Sequence, residues 1–396
     1  MEVRKIKPEE KIFASKIQTI AFLFSRDYSE AQEHPEKFQR GYETTIAAFN
    51  DSGKMCACFE SIPYQIRFDG HTVNMAGIGG VATLPEERRN GYIREIFRFA
   101  FNEMMEKEQI FSYLYPFSHV YYRKFGYELG ATKQKVTIPF SEFASFPKTL
   151  RAELYQPSEC PDVIKEMYNR FIQDKNLAVV RTEDLWNRWL KKDPYKDSYY
   201  TYVFYNSKNE PCAYIIYDLN KKPYNRADMM VQELIWLDTE ALFGVFGFMN
   251  TFASQFGSFV WEAPDGINFH LFFPEPYNIQ RQISTGGMNR IVNLQKVLEL
   301  MAYPEKPGEM ILQVQDNFLS WNQGTYRVSW DKGEAEVKKA DGSPDFSCDI
   351  QALSQLVTGF ADIQDLLLSR KVQVYNKLPV LSAVFHKKPL YLTDRF

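Results

Sequence analysis

The amino-acid sequence predicts a mixed α/β (α+β) protein built from two or three domains. Its 396 residues exceed the roughly 100–200 residues that one domain usually contains. Amphipathic helix patterns alternate with strand and hairpin patterns along the chain, and this order of elements recurs in its middle third. The recurrence suggests a duplication, although no repeat is visible residue by residue. With 45% hydrophobic and 24% charged residues, the composition is typical of a globular protein.

Charge, hydropathy and cysteine content restrict the classes of function. The 47 basic and 50 acidic residues give a formal net charge of −3, which argues against a surface built to grip nucleic acid or anionic lipid. No apolar run approaches the roughly 18 residues of a membrane span, and residues 1–5 do not begin a signal peptide. The five cysteines are odd in number and scattered, so we expect no disulfide framework. We therefore expect a cytoplasmic protein that binds neither nucleic acid nor a membrane.

Hydrophobic periodicity and turn residues predict the elements of the first domain. Residues 8–23 have helical spacing and begin with a proline, which suits the first turn of a helix. The hairpin signal Asp69-Gly70 separates two long strand patterns. The clearest helix starts after Gly91, where apolar residues repeat at three- and four-residue steps. The predicted strands are residues 44–49, 55–68, 72–82 and 111–115.

A polar, proline-containing stretch at residues 146–159 is predicted to follow the first domain. Beyond it, helices are expected at residues 163–173 and 240–255, and strands at residues 199–205, 212–218, 230–237 and 259–262. A third segment has a helix at residues 294–301, three short strands between residues 310 and 338, and two further helical runs. We therefore predict domains at residues 1–150, 151–286 and 287–396.

Residues 81–93 combine a strand, a polar turn and the start of the clearest helix. A helix N-terminus offers unpaired N–H groups and the positive end of a dipole, and both attract phosphate. Arg88 and Arg89 would add positive charge, and Gly91 lets the backbone approach an anion closely. The turn therefore predicts a phosphate site; the alternative is a solvated basic turn that caps an ordinary helix.

Residues 117–127 follow the next predicted strand and read Phe-Ser-His-Val-Tyr-Tyr-Arg-Lys-Phe-Gly-Tyr. Together, the strand, the Arg-Arg-Asn-Gly turn, the helix, the second strand and this aromatic segment resemble the acetyl-CoA core of the GNAT acyltransferase superfamily. The family pattern is Arg or Gln, two residues, Gly, one residue, then Gly or Ala. Arg88 and Gly91 match it, and Ile93 departs from it. The Eis (enhanced intracellular survival) acetyltransferases share that departure, and this sequence resembles them most.

The resemblance to the Eis proteins spans all 396 residues in layout. It implies tandem GNAT folds, of which the second lacks the CoA motif, followed by a domain similar to the sterol carrier fold. The local match is specific only at residues 79–94, at residues 117–127 and at the C-terminus. The resemblance also implies acetyl-CoA as co-substrate and assembly as a homohexamer. The five histidines show no metal-ligand spacing, so we expect no metal.

The same resemblance assigns the residues that would bind acetyl-CoA. A strand backbone would pair with the pantetheine arm, residues 89–94 would hold the pyrophosphate, and two residues would flank the thioester. Arg88 would contact phosphate or face solvent. The cofactor-binding set is Val81, Ala82, Thr83, Arg88, Arg89, Asn90, Gly91, Tyr92, Ile93, Arg94, Phe117 and Ser118.

Acetyl transfer to an amine needs an acid for the leaving thiolate and a base for the amine proton. Alignment with the family places the acid at Tyr122, four residues before Gly126; the alternative is that all the tyrosines of this turn only pack. Eis proteins end in a phenylalanine whose carboxylate reaches the active site, which implies Phe396 as general base; the alternative is a frayed terminus. An α-carboxyl has a pKa near roughly 3.5, so it must be desolvated or act through a water molecule.

The acceptor is expected to be a primary amine. Asp27 and Glu30 follow the first helix, where the wall of an acceptor pocket would lie, or they simply solvate a loop. Arg395 stands at a position where an acidic residue would favour a polycation, so an aminoglycoside, a smaller amine and a protein lysine all stay open. The other functions considered are a CoA- or lipid-binding scaffold without catalysis and an acyltransferase that uses a longer acyl-CoA.

Overall fold

A computed structural model describes residues 1–31, 33–157, 162–221 and 226–394. The chain forms two compact units. The first contains Met1–Gly130, Gly286–Lys388 and the described residues from Thr393 onward, and the second contains Ala131–Thr285 and Pro389–Leu392. The predicted division into three domains at residues 150 and 286 stays a prediction, whereas the mixed α/β architecture is confirmed.

The first unit is built on a seven-stranded sheet in the order β1-β2-β3-β4-β5-β14-β6. Only β4 and β5 run parallel within it. The strands are β1 Glu2–Lys5, β2 Thr45–Phe49, β3 Met55–Phe68, β4 His71–Thr83, β5 Gln109–Leu114, β6 Glu128–Leu129 and β14 Met288–Ile291, and the helices around them are α1 Lys11–Phe22, α2 Tyr92–Glu106 and α3 His119–Arg123. Asp69 and Gly70 have φ angles of 45° and 85°, which confirms the predicted tight hairpin between β3 and β4.

The core of this sheet is packed with aromatic side chains from α2. The apolar face predicted from the spacing of α2 is buried, and Phe97 is fully enclosed. The ring centroid of Phe97 lies 4.8 Å from that of Phe59 on β3 and 4.4 Å from that of Phe125 in the turn after α3. These contacts fix α3 against α2 and therefore fix the side chains that α3 carries.

A five-stranded sheet in the order β17-β16-β15-β18-β19 completes the first unit. Its strands are β15 Gly308–Gln315, β16 Gly324–Asp331, β17 Glu334–Lys339, β18 Phe346–Asp349 and β19 Val372–Val374, and its helices are α7 Leu294–Leu300, α8 Ile350–Thr358, α9 Ile363–Leu368 and α10 Leu378–Val384. The side chain of Arg290 on β14 is fully buried, and its Nη2 donates to both carboxylate oxygens of Asp316 at 3.0 and 2.8 Å. This ion pair joins the seven-stranded sheet to the segment after β15.

The second unit has a seven-stranded sheet in the order β13-β7-β12-β11-β10-β9-β8, in which only β11 and β12 are parallel. Its strands are β7 Thr132–Pro139, β8 Arg151–Leu154, β9 Tyr200–Tyr205, β10 Pro211–Asn220, β11 Ala227–Trp236, β12 Phe256–Ala263 and β13 Gln280–Thr285, and its helices are α4 Asp162–Phe171, α5 Glu183–Leu190 and α6 Thr239–Met249. In this unit, β11, α6 and the parallel strand β12 follow one another in the same order as β4, α2 and β5 in the first unit. No helix in the described part of the chain is long and apolar enough to cross a membrane.

Candidate active site

The parallel pair β4–β5 opens at its carboxyl end. Pairing in register stops where Ile78 faces Leu114, so residues 79–83 of β4 extend beyond β5. On the other side of β4, Cys58 pairs with Ala82 while Glu60 pairs with Gly79, which leaves one extra residue in β4, a bulge. Gly80 lies in this bulge with a φ angle of 62°. On the side of β4 that faces β5, the backbone polar groups of residues 79–83 have no strand partner among the described residues and can pair with an extended ligand.

The turn from β4 into α2 presents unpaired N–H groups. Arg89 and Gly91 have φ angles of 70° and 84°, a pattern that turns successive N–H groups toward one point. Gly91 is the N-cap of α2 and offers no side chain to cap it. Within the described chain, no acceptor is present for the backbone N–H groups of residues 89–93, and the first helical hydrogen bonds come from Arg94 and the residue after it. The turn can therefore hold a phosphate with backbone groups alone.

The side chains of this turn fall into two groups. Arg88, Arg89, Asn90 and Arg94 are exposed, so their polar ends can reach a bound anion. Tyr92 and Ile93 are buried in the core under α2, so only their backbone N–H groups are available to a ligand. The predicted set is thus split between side-chain and main-chain donors.

The equivalent helix of the second unit is capped differently. The N-cap of α6 is Asp238, whose carboxylate accepts the N–H of Ala241 at 2.7 Å. This carboxylate occupies the position that an anion would take and repels a second negative charge. The contrast with Gly91 supplies a physical reason why the second unit has no phosphate motif.

Tyr122 lies on α3, directly after the end of β5. Ser118 caps this helix by accepting the N–H of Tyr121 at 3.3 Å. The Tyr122 side chain is 3% exposed, and its ring lies against those of Phe117 and Tyr121 with centroids 5.4 and 5.2 Å away. Its hydroxyl makes no hydrogen bond to a described residue. Burial raises the pKa of Tyr122 well above the ordinary range, and the neighbouring tyrosines add to the shift.

The three tyrosines of this segment have different surroundings. The hydroxyl of Tyr127 is fully buried and lies 2.6 Å from the Ser112 hydroxyl, so it is committed to the core. Tyr121 is half-buried, and burial raises its pKa as well. The Tyr122 ring is buried, but its hydroxyl has no partner among the described residues and is not fully enclosed, so a ligand can reach it.

Four other predicted residues also belong to the first unit. Phe117 is 70% exposed, and Ser118 is partly exposed at the start of α3. Asp27 and Glu30 are both on an exposed loop after α1. The Asp27 carboxylate accepts the N–H of Ser29 at 2.8 Å, which lowers its pKa, and Glu30 pairs with Lys37 at 2.6 Å. Both carboxylates are engaged in local contacts, and their role in substrate binding stays a prediction.

The C-terminal segment contributes a contact that the sequence analysis missed. The hydroxyl of Tyr115, the residue after β5, donates to the carbonyl oxygen of Asp394 at 2.8 Å, and Asp394 is buried. Phe396, the predicted base, and Arg395 lie outside the described residues. Tyr115 is one of 24 tyrosines and belongs to no sequence motif. Its position at the end of a predicted strand, just before Pro116, is the only feature of the sequence that distinguishes it.

Comparison with known proteins agrees with this geometry. Residues 2–130 match the family model of a GNAT acetyltransferase domain, residues 177–291 match a second such model, and residues 294–393 match the model of a sterol carrier protein domain. No curated protein sequence matches the chain significantly.

Three solved structures have the same fold over almost the whole chain. A GCN5-related N-acetyltransferase from Anabaena variabilis is 24% identical, with 100% of both chains covered and a TM-score of 0.87. A conserved protein from Enterococcus faecalis is 24% identical, with 98% of each chain covered and a TM-score of 0.85. Eis1 from Mycobacterium abscessus is 17% identical, with 100% of both chains covered and a TM-score of 0.81, which confirms the Eis-like layout. The chain therefore contains two GNAT acetyltransferase domains and a C-terminal sterol carrier protein domain.

Proposed function

We propose that this enzyme transfers an acetyl group from acetyl-CoA to a primary amine at the open end of the β4–β5 pair. One observation carries the proposal: the free backbone edge of residues 79–83, the unpaired N–H groups of residues 89–93 and Tyr122 belong to the same carboxyl end of two parallel strands. Each group suits one part of the donor. The strand edge fits the pantetheine amides, the turn fits the pyrophosphate, and Tyr122 fits the thioester sulfur.

The proposed reaction is a direct attack of the amine on the thioester. The amine lone pair forms the new C–N bond, the C–S bond breaks, and the thiolate receives a hydrogen bond and then a proton from the Tyr122 hydroxyl. A thiol has a pKa of about 8.5 and a phenol about 10, and burial raises the pKa of Tyr122 further, so full proton transfer from this tyrosine is uphill. The amine releases one proton to the proposed base, and the base returns one proton to the Tyr122 phenolate through solvent, so the reaction leaves acetylated amine and free CoA thiol.

The proposed acceptor of the amine proton is the α-carboxylate of Phe396, as the resemblance to Eis proteins implies. The hydrogen bond from Tyr115 to Asp394 supports this proposal, because it ties the chain two residues before Phe396 to the end of β5. Adding a short extension after Phe396 should abolish turnover while acetyl-CoA affinity is retained. The same extension placed before Met1 is the control, and equal activity of the two proteins would contradict the terminal base.

The experiment that tests the function is the release of CoA thiol from acetyl-CoA in the presence of a panel of primary amines, with the acetylated product identified by mass. We expect thiol release that depends on both acetyl-CoA and amine. Binding of CoA without release by any amine would favour a scaffold. Faster release from a long-chain acyl-CoA would favour a different donor. Assembly as a homohexamer stays a prediction that sedimentation velocity checks.

A further inference from the structure

Exposed apolar side chains are concentrated near the proposed transfer site. Leu23, which ends α1 with a φ angle of 57°, is 91% exposed. Phe117 and Val120 also face solvent at the start of α3, the helix that carries Tyr122. We call this set the apolar rim, and its members are Ile20, Phe22, Leu23, Phe24, Phe117 and Val120. Exposed apolar side chains grouped near one site mark a place where something apolar can bind.

Contacts at the end of α1 bring its part of the rim to the open end of β4. The Nε2 atom of Gln18 donates to the carbonyl oxygen of Gly80 in the bulge at 3.2 Å. Three residues later, Ala21 packs against the cluster that contains Ala82, and Leu84 packs there too. The exposed residues 22–24 follow Ala21 directly, so they start beside the free edge of β4.

Contacts at α3 bring the other part of the rim to the proposed acid. The ring of Phe117 lies 5.4 Å from that of Tyr122 between centroids, although Phe117 is mostly exposed. Val120 is on α3 itself, two residues before Tyr122. Because α3 follows β5 at the end where β4 and β5 open, both parts of the rim border the place where the amine must approach.

The charges of the same region are balanced. Residues 11–37 contain four basic and four acidic side chains. The half-buried carboxylate of Glu60, opposite Gly79 of the bulge, is already paired with Lys11 at 2.7 Å, and Glu30 is paired with Lys37. A polycation gains little from such a surface, since Glu30 and Glu60 must first give up their own cations.

We infer that the acceptor is a monoamine whose amino group is attached to an apolar or aromatic body, and that the apolar rim binds this body. The inference rests on the proposed acetyl transfer, because the rim is placed relative to that site. Burial of one methylene group strengthens binding about fourfold. In a homologous series of alkylamines, kcat/KM should therefore rise with chain length until the alkyl chain is longer than the apolar rim.

The test measures kcat/KM for thiol release from acetyl-CoA with propylamine, butylamine, hexylamine, 2-phenylethylamine, spermidine and kanamycin. We expect kcat/KM to rise two- to fourfold per methylene, and 2-phenylethylamine to exceed both polycations at least tenfold. The double variant Leu23→Ser/Phe24→Ser should flatten the rise, with acetyl-CoA affinity as the check on folding. Leu368→Ser on α9, which removes an 88% exposed leucine of the same unit, should keep the rise.

Two outcomes overturn the inference while leaving acetyl transfer intact: equal kcat/KM along the alkylamine series, or a preference for spermidine or kanamycin. A rim variant that changes the sedimentation coefficient but keeps the alkylamine rise would also overturn it, because the rim would then be a self-association surface. Absence of thiol release with every amine is a different result, which contradicts the proposed function itself.

Discussion

Substitution of Gly126 by alanine probes how the turn after α3 is held in place. Gly126 has a φ angle of 83°, and a Cβ atom added there would fall on the Nη1 atom of Arg290 and only 2.5 Å from its Cζ. The guanidinium cannot move aside freely, because it is fully buried, bonded to Asp316 and stacked 5.0 Å from the Phe101 ring. Gly126 therefore makes room for the ion pair that joins β14 to the segment after β15.

The matched control is Gly91→Ala. Gly91 has almost the same φ angle, 84°, but a Cβ atom there meets no atom within 4 Å. The control should cost only the left-handed conformation, about 1 kcal/mol. Gly126→Ala should cost that amount plus the disruption of a buried ion pair, about 3–5 kcal/mol, which gives about 4–6 kcal/mol in all.

The destabilisation by each variant is measured by hydrogen exchange of the α2 and β5 amides in the absence of CoA, which gives the free energy of opening of the same elements in both proteins. The difference between the two variants is the quantity of interest, since the shared backbone strain cancels. Equal destabilisation by Gly126→Ala and Gly91→Ala would refute the reasoning, because it would mean that the Arg290 side chain does not hold this turn.

Three other predictions concern the site. Because burial raises the pKa of Tyr122, its hydroxyl keeps its proton up to at least about pH 10. Loss of that proton should therefore not lower kcat for thiol release between pH 7 and 10. If kcat falls below pH 9 in the unmodified enzyme and this fall is absent in Tyr122→Phe, the prediction is contradicted. Arg89→Gln should raise the KM for acetyl-CoA about tenfold without affecting the KM for acetyl-pantetheine. The control Arg98→Gln, an exposed change on α2 itself, should leave both KM values unchanged. Tyr115→Phe, which deletes a hydrogen bond to Asp394 worth about 1 kcal/mol, should lower kcat about fivefold at unchanged acetyl-CoA affinity; an unchanged kcat would mean that this contact does not serve the reaction.

Local patterns predicted the elements that local forces determine. The strand at residues 55–68 matches β3 to the residue, and the Asp69-Gly70 hairpin and the start of α2 after Gly91 are confirmed. In each case the signal is short-range: alternation, a turn that needs positive φ, or an apolar face with helical spacing. The proposed phosphate turn was predicted in the same way, because its glycine and arginines are contiguous.

Elements that depend on distant partners were missed. The strand β14 is four residues long and entirely buried, yet it contains Asn289 and Arg290, which no strand pattern favours. It exists because β5 and β6 hold it on both sides and because Asp316 neutralises its arginine. The contact of Tyr115 with the segment near the C-terminus is equally invisible, since 279 residues separate its two partners.

The most direct test of the central proposal, acetyl transfer with Tyr122 as the acid, compares Tyr122→Phe with Tyr121→Phe in thiol release from acetyl-CoA with a saturating amine. The two tyrosines are adjacent on α3 and their ring centroids are 5.2 Å apart, so the pair separates chemistry from packing. We predict that Tyr122→Phe lowers kcat about 100-fold or more while the Kd for acetyl-CoA stays within a factor of two, and that Tyr121→Phe keeps most of the activity. Equal activity of the two variants would contradict the assignment of Tyr122.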